Sequence, residues 1–332
     1  MFPKTPTTSI RGMKRLVVLF IPLLLLIGCN GSSDLEERLE AKTAALKEAT
    51  EASTPTTTNS TPTAVAQTTT PASTPSSSQA VTTTATPAPP SISENKQDPP
   101  YHGTIFNFPN AVNSDDPTAF VEIIYSGKES RQMFDRRQND WIQDTPHLFI
   151  AQYSDGLSIE VQVNSEFTEP DIAHEIASEY AWLIGQLPSV LRKGIETVWI
   201  HDGKYPFGGG NKNLLIYIEQ GKQYMLDKIL EETLIHEASH TSLNWPGSLL
   251  DHGKTAGWLA AQQSGEGFIS VYAKEHPERE DIAESFLPWL VLRYRLDRIS
   301  QSEAETISDS IPHRIKYFDQ QEFEMYPVGP AK

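Results

Sequence analysis

Read for the spacing of its apolar residues, the chain divides into three stretches of different character. Residues 16–27 form an unbroken apolar run, residues 31–100 have almost no large apolar side chains, and from 101 onward apolar positions return with folded-protein periodicity. In this third stretch, 119–125 is rich in Val and Ile and reads as a strand. Segments 147–153 and 157–164 flank Ser154-Asp155-Gly156, turn chemistry that predicts a hairpin. Next, Ile172, Ile176, Tyr180 and Ile184 recur every fourth residue beside Ala173, Ala177 and Ala181, a stripe that predicts a core-facing helix. Thr168 is its expected N-cap and Pro170 falls in its first turn. His174, Glu175 and Glu179 lie off the stripe and read as solvated surface.

Strands are expected at 197–201 and 214–219. Between them Phe207-Gly208-Gly209-Gly210-Asn211 lacks the lysine and the strand-to-helix setting of a phosphate cradle, and reads as a flexible loop rimming a cleft. A helix is predicted over 227–243. The C-terminal part reads as mainly helical, with a helix over 288–300 and another opened by a Ser302/Glu305 capping box. The expected fold is therefore α+β: a small sheet, one central helix and a helical C-terminal part.

Composition changes this picture mainly at the N-terminus. The overall apolar content of 38% is low because 53–100 is dominated by Thr, Ser, Pro and Ala, a composition that cannot bury enough surface to offset its ordering entropy. Residues 29–100 are read as a disordered tether and 101–332 as one domain with room for a substantial core. The first hundred residues carry equal numbers of acidic and basic side chains, so the domain holds the whole net charge of -16. An acidic domain argues against a nucleic-acid partner, which would want a basic footprint.

Residues 1–28 have the form of a targeting signal: Lys4, Arg11, Lys14 and Arg15 precede an apolar run too short for a comfortable membrane span. The run ends Leu26-Ile27-Gly28-Cys29, and Cys29 is the only cysteine. This resembles the lipobox of bacterial lipoproteins. The resemblance implies cleavage before Cys29, lipidation there, and attachment to a membrane of the cell envelope; Asn30 in the next position implies the outer membrane.

The candidate chemistry is concentrated in His236-Glu237-Ala238-Ser239-His240. On a helix, His236 and His240 stack on one face and can present two imidazole nitrogens to one Zn²⁺. Glu237, about 100° around the helix, is placed to act as a general base. A third histidine six residues after the second would suit one class of zinc peptidase, but Pro246 occupies that position. A later carboxylate pair, Glu280-Asp281-Ile282-Ala283-Glu284, offers the alternative.

The combination resembles the gluzincin zinc peptidases, in which the first acid of E-x-x-x-[DE] binds zinc and the second orients a ligand histidine. The resemblance implies Glu280 as third ligand and Glu284 as the histidine's partner; both share one helical face, so helical geometry alone leaves the reverse open. Residues 272–286 look like the corresponding part of the anthrax lethal factor type of peptidase. A tyrosine assists catalysis there, which implies that role for Tyr272, although this chain has one extra residue between Tyr272 and Glu280. The likeness spans about 50 residues and implies a zincin-like domain hydrolysing peptide or protein substrates.

Other groups are expected to be bland. His252 reads as a cleft or surface residue, and His201, His276 and His313 lie in polar or turn-like settings. Arg293, Arg295 and Arg298 read as a solvated helix face, and Glu231-Glu232 as a pair suited to the helix macrodipole. Two rival functions share these motifs: a zinc hydrolase of cell-wall amides, and a surface interaction lipoprotein without turnover. The strand at 214–219 is expected at the cleft edge, where an extended substrate can pair with it.

Overall fold

Strand β1 (Phe120–Lys128) is followed by a ribbon of β2 (Arg131–Asp135) and β3 (Asp140–Asp144), and then by β4 (His147–Tyr153) and β5 (Ser158–Val163). Helices α1 (Pro170–Gly185) and α2 (Ser189–Arg192) lead to β6 (Thr197–His201), β7 (Gly208–Gly210) and β8 (Asn213–Tyr217). The rest is helical: α3 (Ile218–Leu226), α4 (Leu230–Leu243), α5 (Ala256–Gln263), α6 (Val271–Glu275), α7 (Asp281–Tyr294), α8 (Gln301–Ser310) and α9 (Pro312–Asp319). These elements come from a computed structural model that describes residues 98–104, 111–244, 251–264 and 267–331, all within one compact unit, Thr82–Lys332. The signal, Cys29 and the tether lie outside the described residues.

The architecture is mixed α+β. A six-stranded sheet runs β1-β4-β5-β6-β8-β7, parallel at β5–β6 and β6–β8 and antiparallel at the other joins. The β4–β5 hairpin forms as its turn predicts, with Gly156 supplying the positive φ of 84°. Side-chain alternation sends β6 and β8 to two cores. Val198, Ile200, Leu214 and Ile216 join the helices in the main core, whereas Trp199, Leu215 and Tyr217 pack with Met133 of the β2–β3 ribbon. Helix α1 buries Ala173, Ala177, Tyr180, Ala181 and Ile184, the expected stripe.

Several boundaries differ from expectation for identifiable reasons. Glu169, not Thr168, stands at the N-cap of α1, and Pro170 starts the helix. The expected strand 214–219 ends at Tyr217, and Ile218 and Glu219 already belong to α3. The helix expected over 227–243 begins only at Leu230, because Lys228 turns the chain with φ of 58°. Helix α7 runs through Pro288 and stops at Tyr294. The capping box is made by Ser300 and Glu303, not by Ser302 and Glu305; Ser300 has the extended backbone that a cap requires.

The glycine run is also a correction. It is a short edge strand, not a loop. Gly209 packs directly on α4, where a Cβ would overlap the Glu237 carbonyl, and Gly210 donates its N–H to Thr241 Oγ1 at 2.8 Å. Glycine is therefore demanded by backbone-to-backbone approach. The turn back into β8 uses Asn211 and Lys212, both with positive φ (47° and 59°), the two-residue connection that suits the twist of a hairpin. Consequently β8 is an inner, fully buried strand, and the cleft edge belongs to β7.

Candidate metal centre

Helix α4 carries His236 and His240 one turn apart, with Nε2 atoms 3.1 Å from each other. Glu280 stands at the N-cap of α7 and brings Oε2 to 3.0 Å from His240 Nε2 and 3.4 Å from His236 Nε2. Among the described residues, these three form the one group of His, Cys, Asp or Glu side chains close enough to share an ion. Asn244, at the end of α4, ties the two parts together: its side-chain amide donates to the carbonyls of Glu278 (3.2 Å) and Arg279 (2.7 Å).

Glu284, one turn along α7, faces the other side of the first imidazole, with Oε1 3.2 Å from His236 Nδ1. Its two oxygens also accept from Thr104 (2.5 Å) and Ser270 (2.6 Å). Ser270 is at the same time the N-cap of α6, accepting the Ala273 N–H, so it couples Glu284 to the helix that bears Tyr272. The segment around Tyr101 runs beside 269–272 through backbone bonds, which brings Thr104 to this position. Glu280 thus stands toward the pair of nitrogens and Glu284 behind His236.

The carboxylates around the imidazoles favour a positive charge among them. Burial opposes a charge on His236, but hydrogen bonding to Glu280 and Glu284, with the charge of Glu237, outweighs it and pushes the pKa up to about 10. Burial likewise works against the Glu280 carboxylate, yet His236 and His240 hold its pKa far below the usual range. The buried Oε2 of Glu280 nevertheless lacks a hydrogen bond of good geometry. Donors at about 2.0–2.1 Å from a tetrahedral Zn²⁺ stand about 3.3 Å apart. The observed separations of 3.0–3.4 Å match that edge, so two imidazoles and a carboxylate fit zinc in chemistry and in spacing.

These donors open onto a cleft of about 1160 Å³ lined by Glu237, Tyr272, Arg279, Arg136 and the glycines of β7. Tyr272 donates its hydroxyl to Glu280 Oε1 at 3.0 Å. Arg279, absent from the sequence-based site, donates to the same oxygen at 2.6 Å and to the Tyr272 oxygen at 3.0 Å. Burial and the neighbouring Glu280 raise the Tyr272 pKa, keeping the phenol protonated. Position gives the only sequence clue to Arg279: it immediately precedes Glu280.

Residues expected to be bland are mostly built in. His201 is fully buried, 3.1 Å from the Asn164 amide and stacked on Tyr217; burial lowers its pKa to about 4. His252 is buried too, with Nδ1 2.6 Å from the Tyr317 hydroxyl. The three arginines are not a free cationic face: Arg293 pairs with Asp319, and Arg295 and Arg298 with Asp116. His174, His276 and His313 are exposed.

Glu232 is the clearest departure, a carboxyl with 0% exposure that accepts the Val112 N–H at 3.3 Å. Burial raises its pKa to about 8, so the folded state holds this proton more tightly than the unfolded chain does. The resulting stabilisation is complete below pH 4.5 and is lost as pH rises through about 8. Glu232→Gln keeps the acceptor and removes the ionisation. Urea unfolding should give nearly equal stabilities at pH 4.5, with the variant ahead at pH 8 by on the order of 3 kcal/mol. Equal stabilities at both pH values would show that Glu232 is solvated.

Compared with known proteins, the chain matches no family model, no curated protein and no solved structure. The site therefore stands on its own geometry. Among the described residues, no helix is long and apolar enough to cross a membrane.

Proposed function

We propose that the chain is a zinc-dependent peptidase of the gluzincin kind, in a zincin-like domain tethered to the bacterial outer membrane through a lipidated Cys29. The observation that carries this reading is the set of three donor atoms, two Nε2 and one Oε2, spaced 3.0–3.4 Å apart on the wall of an open cleft. His236, His240 and Glu280 hold the ion. Bound there, Zn²⁺ supplies Lewis acidity, polarising a carbonyl and making water nucleophilic near neutral pH.

The remaining steps belong to the side chains. Glu237 takes the proton of the attacking water and returns it to the leaving nitrogen. Glu284 Oε1, 3.2 Å from His236 Nδ1, is placed to hold a proton on that nitrogen and so leave Nε2 for the ion. Tyr272 and Arg279 hold the outer oxygen of Glu280, and both line the cleft, where a phenol or guanidinium that turned to the substrate would stabilise oxyanion charge. The outward backbone of β7 offers an extended peptide a strand to pair with.

Metal analysis of the purified full chain tests this reading. The wild type should retain about one zinc per chain and Glu280→Ala should lose it. A wild-type chain free of zinc after zinc reconstitution ends the metallopeptidase proposal. A Glu280→Ala variant that binds zinc as tightly as wild type overturns the ligand assignment.

A further inference from the structure

Strand β7 has a second hollow on its other side, smaller at about 260 Å³. Its floor is Trp199 and Leu215. Its wall is Trp141, 46% exposed and standing nearly perpendicular to Trp199 with ring centroids 5.3 Å apart. Asn139 and Asn211 stand at its rim, both exposed. Positive φ angles of 52° and 47° place them in the tight turns that end the ribbon and the β7–β8 hairpin. Gly208, Gly209 and Arg136 line this hollow and the larger cleft alike, so the two are neighbours that share one wall.

We propose that this hollow seats a pyranose ring carried on a peptide that lies in the cleft, making glycosylated peptides the preferred substrate class. The inference rests on the peptidase reading. A half-exposed indole presents a flat apolar face suited to the C–H face of a sugar. Asparagine amides combine donor and acceptor, as each sugar hydroxyl does. Among the described residues, no carboxylate lines the hollow. An apolar protein side chain would instead be suited by a more enclosed apolar pocket. Strand β7 carries no side chain of its own, and the Arg136 guanidinium, held over Gly208 by the Phe207 carbonyl at 2.9 Å, is the group that a branch from a paired peptide would pass on its way to Trp141. The same chemistry is available from a Ser/Thr-linked glycan and from the amino sugar of a cell-wall muropeptide.

The test uses the full-length zinc-loaded chain with matched pairs of probes: one peptide bare and carrying Thr-linked N-acetylgalactosamine, and one stem peptide with and without its N-acetylmuramyl sugar. At least one glycosylated member should be cleaved about tenfold more efficiently than its bare partner, and that ratio should fall toward one in Trp141→Ala and in Asn211→Gly, which keeps the turn conformation. The pair showing the preference identifies the source of the sugar. Tryptophan fluorescence of Glu237→Gln, titrated with the same probes, separates binding from hydrolysis. A sugar-dependent change that disappears with Asn211→Gly, which leaves every tryptophan in place, keeps the sugar site even if the wild type cleaves nothing, in which case the peptidase reading fails alone. Equal cleavage and equal fluorescence response for bare and glycosylated partners overturns the proposal, as does a preference that survives Trp141→Ala.

Discussion

Replacing Glu237 with Gln should lower kcat by about 10²–10⁴-fold while zinc content stays at the wild-type level. The substitution keeps the side chain's volume and removes its ability to take a proton. None of the three proposed donor atoms is touched, and the Glu237 backbone remains pinned by its contact with Gly209. The effect should appear in kcat more than in KM, since proton transfer is made only in the transition state. Peptide hydrolysis assayed beside metal mass spectrometry checks both halves. A variant retaining more than about a tenth of the activity would place the base elsewhere. A wild type that binds zinc without turnover on peptides or cell-wall amides would favour the interaction lipoprotein.

Arg314→Met should be the most destabilising single change, costing about 3–5 kcal/mol. Arg314 and Asp281 are both fully buried, and the guanidinium donates to both carboxylate oxygens at 2.9 Å. Gln262 adds a further bond to Asp281 at 2.9 Å. Burial raises the Asp281 pKa, with Arg314 opposing the shift, so removing the arginine strands a carboxylate where water cannot reach it. Asp281 is the first residue of α7, immediately after Glu280. Loss of its anchor should therefore weaken zinc retention as well as lower Tm, by on the order of 10 °C. Adding Asp281→Asn should recover much of the loss, because the buried charge is then gone. If single and double variants melt together, the pair is not what holds the helix start.

The parts legible in sequence were those with a side-chain signal. The turn chemistry of Ser154-Asp155-Gly156 specified the β4–β5 hairpin, and the fourfold stripe specified α1. One-turn spacing shows that His236 shares a face with His240 and Glu280 with Glu284, whereas the joining of the two pairs was an expectation from the family resemblance alone. Strand β7 was not legible: three glycines carry neither alternation nor β-propensity, and only the approach of α4 makes them a strand. The break at Lys228 was hidden because the turn uses no glycine. Glu232 and His201 were misjudged for a common reason. Polar residues default to the surface, and their burial depends on distant partners such as Val112 and Asn164. Thr104, Ser270 and Arg279 were missed because each acts through another residue of the site.

A strand with no side chains keeps no record of what has lain along it. In β7 the cleft wall is backbone, and at Gly209 the contact with α4 closes it to substitution. Changes in what is recognised must then fall on elements that hold none of the three donor atoms, such as the β2–β3 ribbon with Trp141 and Arg136 and the turn at Gly253 and Lys254. On the proposed peptidase reading, recognition and hydrolysis are separately evolvable in this sense: drift or design at the ribbon would redirect the molecule to new targets while the three donor atoms stay in place.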